Sequence, residues 1–410
     1  MSFAKQHNLQ LQQQKESKKM AQLEERVQKA QRLPTLDFSL FSSYLSEINE
    51  IDLSKTIGIM DRRVALGGHD RSELMLSIRQ PVFTGFRLQS QVALAKNDYL
   101  SEQTKFDILS NEIYHQVYLI FYKFQSLTNQ RRILEESLKR LNIQLDQVRN
   151  LFNAAQVMAF DTLRVYNQTL TIKIELQNIQ LASRLATLQM ARILDLKQVQ
   201  PISEIQLKRP MVETMDLKQY KSEALAKRPE LHTMRLAKNE THIRQRLFRA
   251  NYFPVVLAQA NFHYAKPGLD PVANEWMDYF SVGLNVQWNL WRWQGDKKKV
   301  EEFQVLQNRL TLAEKELLQT IDYEVEESFE NLKFSLQQWR LSEELRDQQA
   351  ERYRIVSVQH QNNIASTNEL ITAEADLTKA ELQTQQALIR YYMNLADLKK
   401  ATGSIGENID

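Results

Sequence analysis

The stretch YFSVGLNVQWNLW, Tyr279 to Trp291, alternates without a slip. Phe280, Val282, Leu284, Val286, Trp288 and Leu290 share one parity, and Ser281, Gly283, Asn285, Gln287 and Asn289 share the other. Successive side chains of an extended chain point to opposite faces, so the stretch is a strand with one apolar face and one wet face. Most of the chain around it has helical periodicity, which makes the surroundings of that apolar face the central question.

The breakers isolate the helices. Residues 86–200 and 296–402 contain neither Gly nor Pro, although the whole chain has 9 Gly and 8 Pro. Both tracts are expected to be long helix. In the first, Ile113, Val117, Ile120, Phe124, Leu127, Leu134, Leu138, Leu141, Leu145, Val148 and Phe152 advance by fours and threes, interrupted at Arg131, as in a coiled-coil seam. In the second, Leu370, Ala373, Leu377, Ala380, Ala387, Tyr391 and Leu398 keep the same register with small residues. One straight helix of ~110 residues would run about 165 Å, so each tract is expected to fold back as a hairpin. The turns fall at FNAAQVMAFDTL (Phe152 to Leu163) and HQNNIASTNEL (His360 to Leu370), with Asp161 and Thr367 or Asn368 capping the returning helices.

The tracts also match each other, as a duplication requires. Leu33-Pro34 pairs with Phe253-Pro254 at an offset of 220, Leu76-Ser77-Ile78 with Leu284-Asn285-Val286 at 208, and Val157 to Leu163 with Ile364 to Leu370 at 207. The first repeat is read as 1–195, with strands 36–45 and 74–83 and a helical hairpin 86–195. A linker, 196–220, leads to a second repeat, 221–403, with helix 221–252, strands 256–264 and 280–290, and hairpin 296–402. A tail, 404–410, ends the chain. The drop in offset gives the first copy the longer inter-strand loop, where length differences are absorbed.

Composition removes several classes of function. The 53 basic and 50 acidic residues leave a net charge of +3 with no basic footprint for nucleic acid. There is no cysteine, so thiolate chemistry and disulfides are absent. The 7 His are scattered and no His-Glu-x-x-His, P-loop or dinucleotide fingerprint occurs, so no enzyme activity, metal or cofactor is expected. Glu369, Glu374 and Asp376 read as the solvated face of a coiled coil. No window has the ~18 apolar residues of a membrane helix, and mean hydropathy is −0.48. Membrane strands escape that test, because every second residue is polar.

Strands of about ten residues suit a tilted bilayer crossing. Four are too few to close a barrel, which begins at about eight strands, whereas three chains would supply twelve. Phe38, Phe83, Phe262, Tyr264, Tyr279, Trp288, Trp291 and Trp293 are expected near strand ends, where interfacial girdles sit. On this reading Phe280, Val282, Leu284, Val286, Trp288 and Leu290 face lipid, while Asn285, Gln287, Asn289, Gln259, Asn261 and Ser281 line water, a small and uncharged set. Lys297, Lys298 and Lys299 stand where they could meet lipid headgroups. The rival architecture is an elongated coiled-coil scaffold or periplasmic adaptor with a soluble β-domain.

The chain resembles the TolC-like outer membrane efflux protein family over nearly its whole length, Phe3 to Gly403. The resemblance rests on the duplicated layout, on ALAKRPEL (Ala224 to Leu231) and NYFP (Asn251 to Pro254), and on QPVFTGFR (Gln80 to Arg87) and WNLWRWQGDKKK (Trp288 to Lys299) at the strand-to-helix joins. It extends through STNELITAEADLTKAELQTQQALIRYYMNLADLKKATG (Ser366 to Gly403). It implies a mainly α fold with a membrane β part: a homotrimer whose twelve strands form a barrel continued by an α-helical barrel. The function implied is that of an exit duct of a tripartite efflux pump or type I secretion system. The place implied is the Gram-negative outer membrane, with a periplasmic extension. The partners implied are outer-membrane lipid, a periplasmic adaptor and an inner-membrane transporter.

The family's helix turns resemble Gly-x-Val-Ser-x-x-Asp-x-Leu, used for docking and for closing the entrance. The resemblance puts that role on Ala155, Val157, Asp161 and Leu163, and on Asn362, Ile364, Asn368, Glu369 and Leu370. Both glycines are replaced, and on the 207 offset Asn368 stands for the second aspartate. Segment KQVQPISEIQLKRPMVETMDLKQY, Lys197 to Tyr220, resembles the family's equatorial collar. Its first-copy counterpart would precede residue 1, so a leader or lipid-anchor signal is expected upstream.

Overall fold

The computed structural model describes residues 2–52, 63–196, 205, 207–210, 216–270, 272–362 and 364–406. The elements are α1 (Ser2–His7), α2 (Leu9–Ala30), β1 (Thr35–Tyr44), β2 (Asn49–Asp52), β3 (Arg63–Leu66), β4 (Asp70–Phe83), α3 (Arg87–Asn153), α4 (Ala159–Ile193), α5 (Leu217–Lys227), α6 (Pro229–Arg249), a 3-10 turn (Ala250–Tyr252), β5 (Val255–Lys266), β6 (Met277–Gln287), α7 (Gly295–Gln361) and α8 (Thr367–Ala401). Two compact units result. One comprises Met1–Glu16, Gln103–Thr233 and Ala313–Asp410; the other comprises Ser17–Glu102 and Met234–Leu312.

In the helical unit the seams become cores. Ile321, Val325, Phe329, Leu332, Leu336 and Trp339 of α7 pack with Leu388, Tyr391 and Leu398 of α8 and with Ala224 and Leu231. Leu134 and Leu141 of α3 meet Ile172 and Ile179 of α4. Each such side chain contributes roughly 1.5–3 kcal/mol when fully buried. Phe152, at the end of the α3 seam, is 44% exposed.

The two helix pairs are equal in length, at 67 and 35 residues in each copy. Their boundaries stand at one offset throughout: Arg87 with Gly295, Asn153 with Gln361, Ala159 with Thr367, and Ile193 with Ala401. All are 208 apart. The 207 register read at the turns is therefore one residue short, so the structural counterpart of Asp161 is Glu369, not Asn368.

The same offset governs the points where the backbone must turn left-handed. At the strand-to-helix joins two successive residues have positive φ, Gly85 (61°) and Phe86 (66°) in one copy, Trp293 (50°) and Gln294 (59°) in the other. At the helix ends Asp195 and Gly403, with φ of 51° and 77°, occupy the position after the cap. Around them Ser404 N–H donates to the Lys399 carbonyl (2.9 Å) and Leu196 N–H to the Ala191 carbonyl (2.9 Å), the six-to-one bond of a Schellman motif.

Several boundaries differ from the sequence reading. Helix 221–252 is two helices: Pro229 lacks an N–H and disfavours helical backbone at the residue before it, so Arg228 turns extended. Arg228 holds the corner, donating to Glu230 (2.9 Å), Glu324 (2.8 Å) and the Ala401 carbonyl (3.1 Å). The first of these helices starts at Leu217, inside the expected linker, because Asp216 accepts from Lys218 N–H (2.9 Å). Of that linker, residues 197–204, 206 and 211–215 lie outside the described residues, as do 407–410 of the tail and 53–62 of the first inter-strand loop. The flanks of that loop form a separate β2–β3 ladder. Trp288, Asn289 and Leu290 lie beyond the end of β6.

Glu374 is not on a solvated face but fully buried. Its Oε1 accepts from Ser137 Oγ (2.8 Å), Thr378 Oγ1 (2.8 Å) and Arg140 Nε (3.2 Å). Arg140 also donates to Glu381 Oε2 (3.2 Å) and lies over the Tyr353 ring. Burial raises the Glu381 carboxyl above the usual carboxylate range, and Arg140 only partly offsets this. Asp376, by contrast, is half-buried and pairs with Arg352 (2.7 Å). Glu374→Ala leaves Arg140 facing an apolar gap and is expected to cost about 3 kcal/mol. Arg140→Met added to it should cost much less than Arg140→Met alone, a non-additivity that denaturant titration of the four variants would measure. Equal costs in both backgrounds would show that the two side chains act separately.

Candidate functional site

The sheet runs β1-β4-β5-β6, all antiparallel. The register sorts its side chains into two faces. Across one rung Phe38 opposes Leu76, Leu76 opposes Phe262, and Phe262 opposes Phe280. Phe38 and Phe262 are thus interior to their strands, not at the ends where the girdle reading put them. Rungs Leu36–Ile78–Ala260–Val282 and Leu40–Leu74–Tyr264 lie on the same face. This apolar face is uncovered: Phe38 is 69% exposed, Phe280 80% and Leu284 71%. Beyond its helix-side end Phe83, Phe86 and Phe253 meet edge to face, with centroids 5.7 to 6.3 Å apart. Trp291 and Trp293 form a further pair there, and Trp288 Nε1 donates to the Tyr252 carbonyl (3.1 Å). At the opposite end Tyr264 stacks on Trp276 and Tyr44 on His69.

The other face carries Gln259, Asn261, Ser281, Asn285 and Gln287, interrupted by Gly283, Leu257 and Val255, which stand opposite Gln259, Asn285 and Gln287 respectively. Gln259 donates to Asn261 (2.8 Å) and Asn261 to Ser281 (3.2 Å). This face is more charged than the alternation from Leu74 suggests. β4 begins at Asp70, four residues earlier, and its Glu73 meets His263 Nδ1 at 2.7 Å. His263 in turn stacks on Tyr279, and Arg79 pairs with Asp37 at 2.6 Å. Glu73 was missed because the apolar run beginning at Leu74 masked the polar residues before it.

The turns of the helical hairpins form a second candidate site. Ala155 stands in the left-handed region at φ 58°, where Gln156 N–H donates to the Leu151 carbonyl (2.9 Å). In the other copy Ile364 N–H makes the same bond to Gln359 (2.8 Å), and the intervening Asn363 lies outside the described residues. The caps of the returning helices are Met158 and Ser366, not Asp161, Thr367 or Asn368. Asp161 and Glu369 sit three residues on and reach back, accepting from Met158 N–H (3.2 Å) and Ser366 N–H (2.7 Å). These two bonds are the reciprocal half of a capping box. The bonds from Ser366 hold the Glu369 carboxyl below its usual range.

Asn368 has a different partner, the guanidinium of Arg164, which lies over the Phe160 ring. Ala155, Leu163, Asn362, Ile364, Asn368 and Glu369 are exposed, and Val157 and Asp161 are half-buried. Leu370 is 2% exposed within the helix core, so it is not available to a partner. Met158 and Phe160, which the sequence pattern did not mark, are more exposed than any other apolar side chain of the first turn. Among the described residues no group of three or more His, Asp or Glu could hold a metal ion.

The outer membrane efflux protein family matches this chain over residues 1–195 and 221–404. The fold is similar to that of the outer membrane protein VceC of Vibrio cholerae (TM-score 0.77, 14% identity, 98% of this chain and 94% of that one). It is also similar to the Campylobacter jejuni CmeC outer membrane channel (0.79, 12%, 98% and 84%) and to the open state of the Neisseria gonorrhoeae MtrE outer membrane channel (0.78, 15%, 98% and 87%). No curated protein matches by sequence.

Two outcomes are expected at the turns. Ala155→Gly removes a left-handed Cβ and should stabilise the turn by about 0.5–1 kcal/mol, read as slower hydrogen exchange at the Gln156 amide. His360, buried beside Thr367 (3.4 Å), has its pKa lowered by burial. A depressed histidine contributes nothing while both states are neutral and costs stability as pH falls below its unfolded value of about 6.5. The Glu369 bond persists there, since a depressed carboxylate is lost only below its ordinary range. Protection at the second turn, taken against the intrinsic exchange rate at each pH, should therefore fall below about pH 6.5 in the wild type and not in His360→Gln.

Proposed function

The chain belongs to the outer membrane efflux protein family, and from that membership we propose that three copies close their sheets edge to edge into one twelve-stranded barrel. Proteins of this family are exit ducts of tripartite efflux systems in the Gram-negative outer membrane, with a periplasmic extension. Family and fold are those of transport ducts rather than enzymes.

One observation carries the proposal for this chain. Its four-stranded sheet has an uncovered apolar face and two edges, β1 and β6, each paired on one side only. Lipid tolerates the first and forbids the second, because unpaired backbone groups cannot be left in hydrocarbon. Joining β6 of one copy to β1 of the next removes every edge. A soluble β-domain would instead cover Phe280, Val282, Leu284 and Val286.

With the apolar face outward, Gln259, Asn261, Ser281, Asn285 and Gln287 face the lumen, together with the Asp37–Arg79 and Glu73–His263 pairs. Passage through the barrel is passive, and the transporter delivers the substrate. The helix turns dock the periplasmic adaptor through exposed side chains of the first turn, Met158, Phe160 and Leu163, and of the second, Ile364 and Asn368, with Glu369 fixing the backbone that presents them. Ala155 and Asn362 shape these turns, Val157 packs beneath the first, and Asp161 reaches back to the Met158 amide.

Parity tests the reading. Leu284→Arg on the apolar face should abolish the heat-labile trimer band on unboiled gels and the membrane fraction, at a cost of about 2–4 kcal/mol per lipid-facing arginine. Asn285→Arg should leave both intact and shift single-channel conductance in a planar bilayer toward anions. Equal effects at the two positions would dismiss the barrel.

A further inference from the structure

The helix-side rim of the sheet contains a cavity of about 360 Å³ whose walls are of two kinds. Gly85, Phe86, Ala250 and Phe253 supply its apolar lining, and Gln89, Ser90, Arg246 and Arg249 supply its polar lining. The apolar lining continues the lipid-facing surface, since a register shift between Pro81 and Phe83 sets Phe83 opposite the outward-facing Val256, and Phe83 packs on both Phe86 and Phe253. Backbone packs closely on one part of its lining. Gly85 is left-handed at φ 61°, and a Cβ there would lie 2.6 Å from the Ala250 carbonyl oxygen. Phe86, also left-handed, keeps its ring 56% exposed.

The cations of this rim differ in one respect. Of the three lysines the sequence marks for headgroups, Lys298 and Lys299 are each neutralised within their own helix, by Glu301 and Glu302 at 2.7 Å, and Lys297 lies outside the cavity's lining. Arg292 is paired with Asp296, and Arg87 donates to Asn251. Arg246 and Arg249 are exposed and have no hydrogen bond or ion pair with any described residue. A helix C-terminus favours a cation, but that accounts for neither the cavity nor its aromatic wall. A planar guanidinium offers paired donors suited to a phosphate, and a rim facing the periplasmic leaflet meets glycerophospholipids.

We propose that this cavity binds one anionic glycerophospholipid, the headgroup phosphate held by Arg246 and Arg249 and the acyl chains laid along Phe86 and Phe253. The second join offers no equivalent, since the position of Phe86 is taken by Gln294. The inference rests on the reading of the sheet as a membrane barrel.

The test reconstitutes the full-length protein, with Trp276, Trp291, Trp293 and Trp339 replaced by Phe in every variant, into nanodiscs and follows quenching of Trp288, bonded to Tyr252, by brominated lipids. Brominated phosphatidylglycerol should quench with about tenfold higher apparent affinity than brominated phosphatidylcholine, about threefold coming from each arginine. Arg246→Gln with Arg249→Gln should equalise the two lipids, and the paired Arg→Lys variant should retain most of the preference. Equal quenching with both arginines present, as when a second copy covers the cavity, or a preference that survives in the glutamine variant, overturns the proposal and leaves the barrel standing. A preference abolished by excess soluble glycerophosphate overturns it in favour of a free phosphate ligand. Absence of quenching by either lipid removes the barrel and the site together.

Discussion

Unsatisfied backbone hydrogen bonds at the edges of a four-stranded sheet are the constraint on which the rest of this molecule depends. An edge strand in water can be blunted by charge, proline or a covering loop. Here β6 presents Val282, Leu284 and Val286 on an open edge with no such device, and its apolar face is uncovered as well. Neither water nor hydrocarbon alone accommodates that combination. The proposed closure against further copies would, and it would set the two faces in different solvents: the wet side with its Glu73–His263 and Asp37–Arg79 pairs, the other with rows of Phe and Leu. Charged pairs on the wet face cost little, because each is satisfied laterally by a cross-strand neighbour before any water is counted.

The duplication shows which local features are structural necessities. Across both copies the left-handed positions recur at a fixed spacing, while the residues filling them differ: Gly85 and Trp293, Phe86 and Gln294, Asp195 and Gly403. Only some are glycine. A non-glycine residue there carries strain of roughly 1–2 kcal/mol, which the helices on either side must outweigh. Gly85 and Gly403 are the positions where space as well as conformation excludes a side chain, since a Cβ would meet the Ala250 carbonyl in one case and the Lys227 backbone in the other. The fold therefore conserves backbone geometry between its halves more strictly than chemistry.

Much of this was legible in the residues. Alternation in Tyr279 to Trp291 gave a strand, the breaker-free tracts gave long helices, and the repeat placed both twice. What was not legible depended on side chains meeting across elements. Glu374 looks like any exposed coiled-coil carboxylate until α3 brings Ser137 and Arg140 to it. The cap at Ser366 competes in sequence with Thr367 and Asn368, and only the return bond from Glu369 decides among them. That same bond corrects the repeat register by one residue and makes Glu369, not Asn368, the partner of Asp161. Pattern matching favoured the wrong offset because Val157 and Ile364 look alike, although hydrophobic similarity is weaker evidence of equivalence than the backbone bond each position makes.

That correction changes the physical reading of the turns. With Asp161 and Glu369 equivalent, both copies carry a carboxylate at the third helical position, and both carboxylates are engaged by the backbone of their own cap. A carboxylate so held stays in place, near a helix N-terminus that favours negative charge. It cannot swing freely toward a neighbouring chain without giving up the bond that starts its helix. Exposed groups that carry no such duty, Met158, Phe160 and Ile364, are free to be covered. Docking at these turns is therefore expected to be read mainly through apolar contact, with the acidic residues fixing the backbone that presents it.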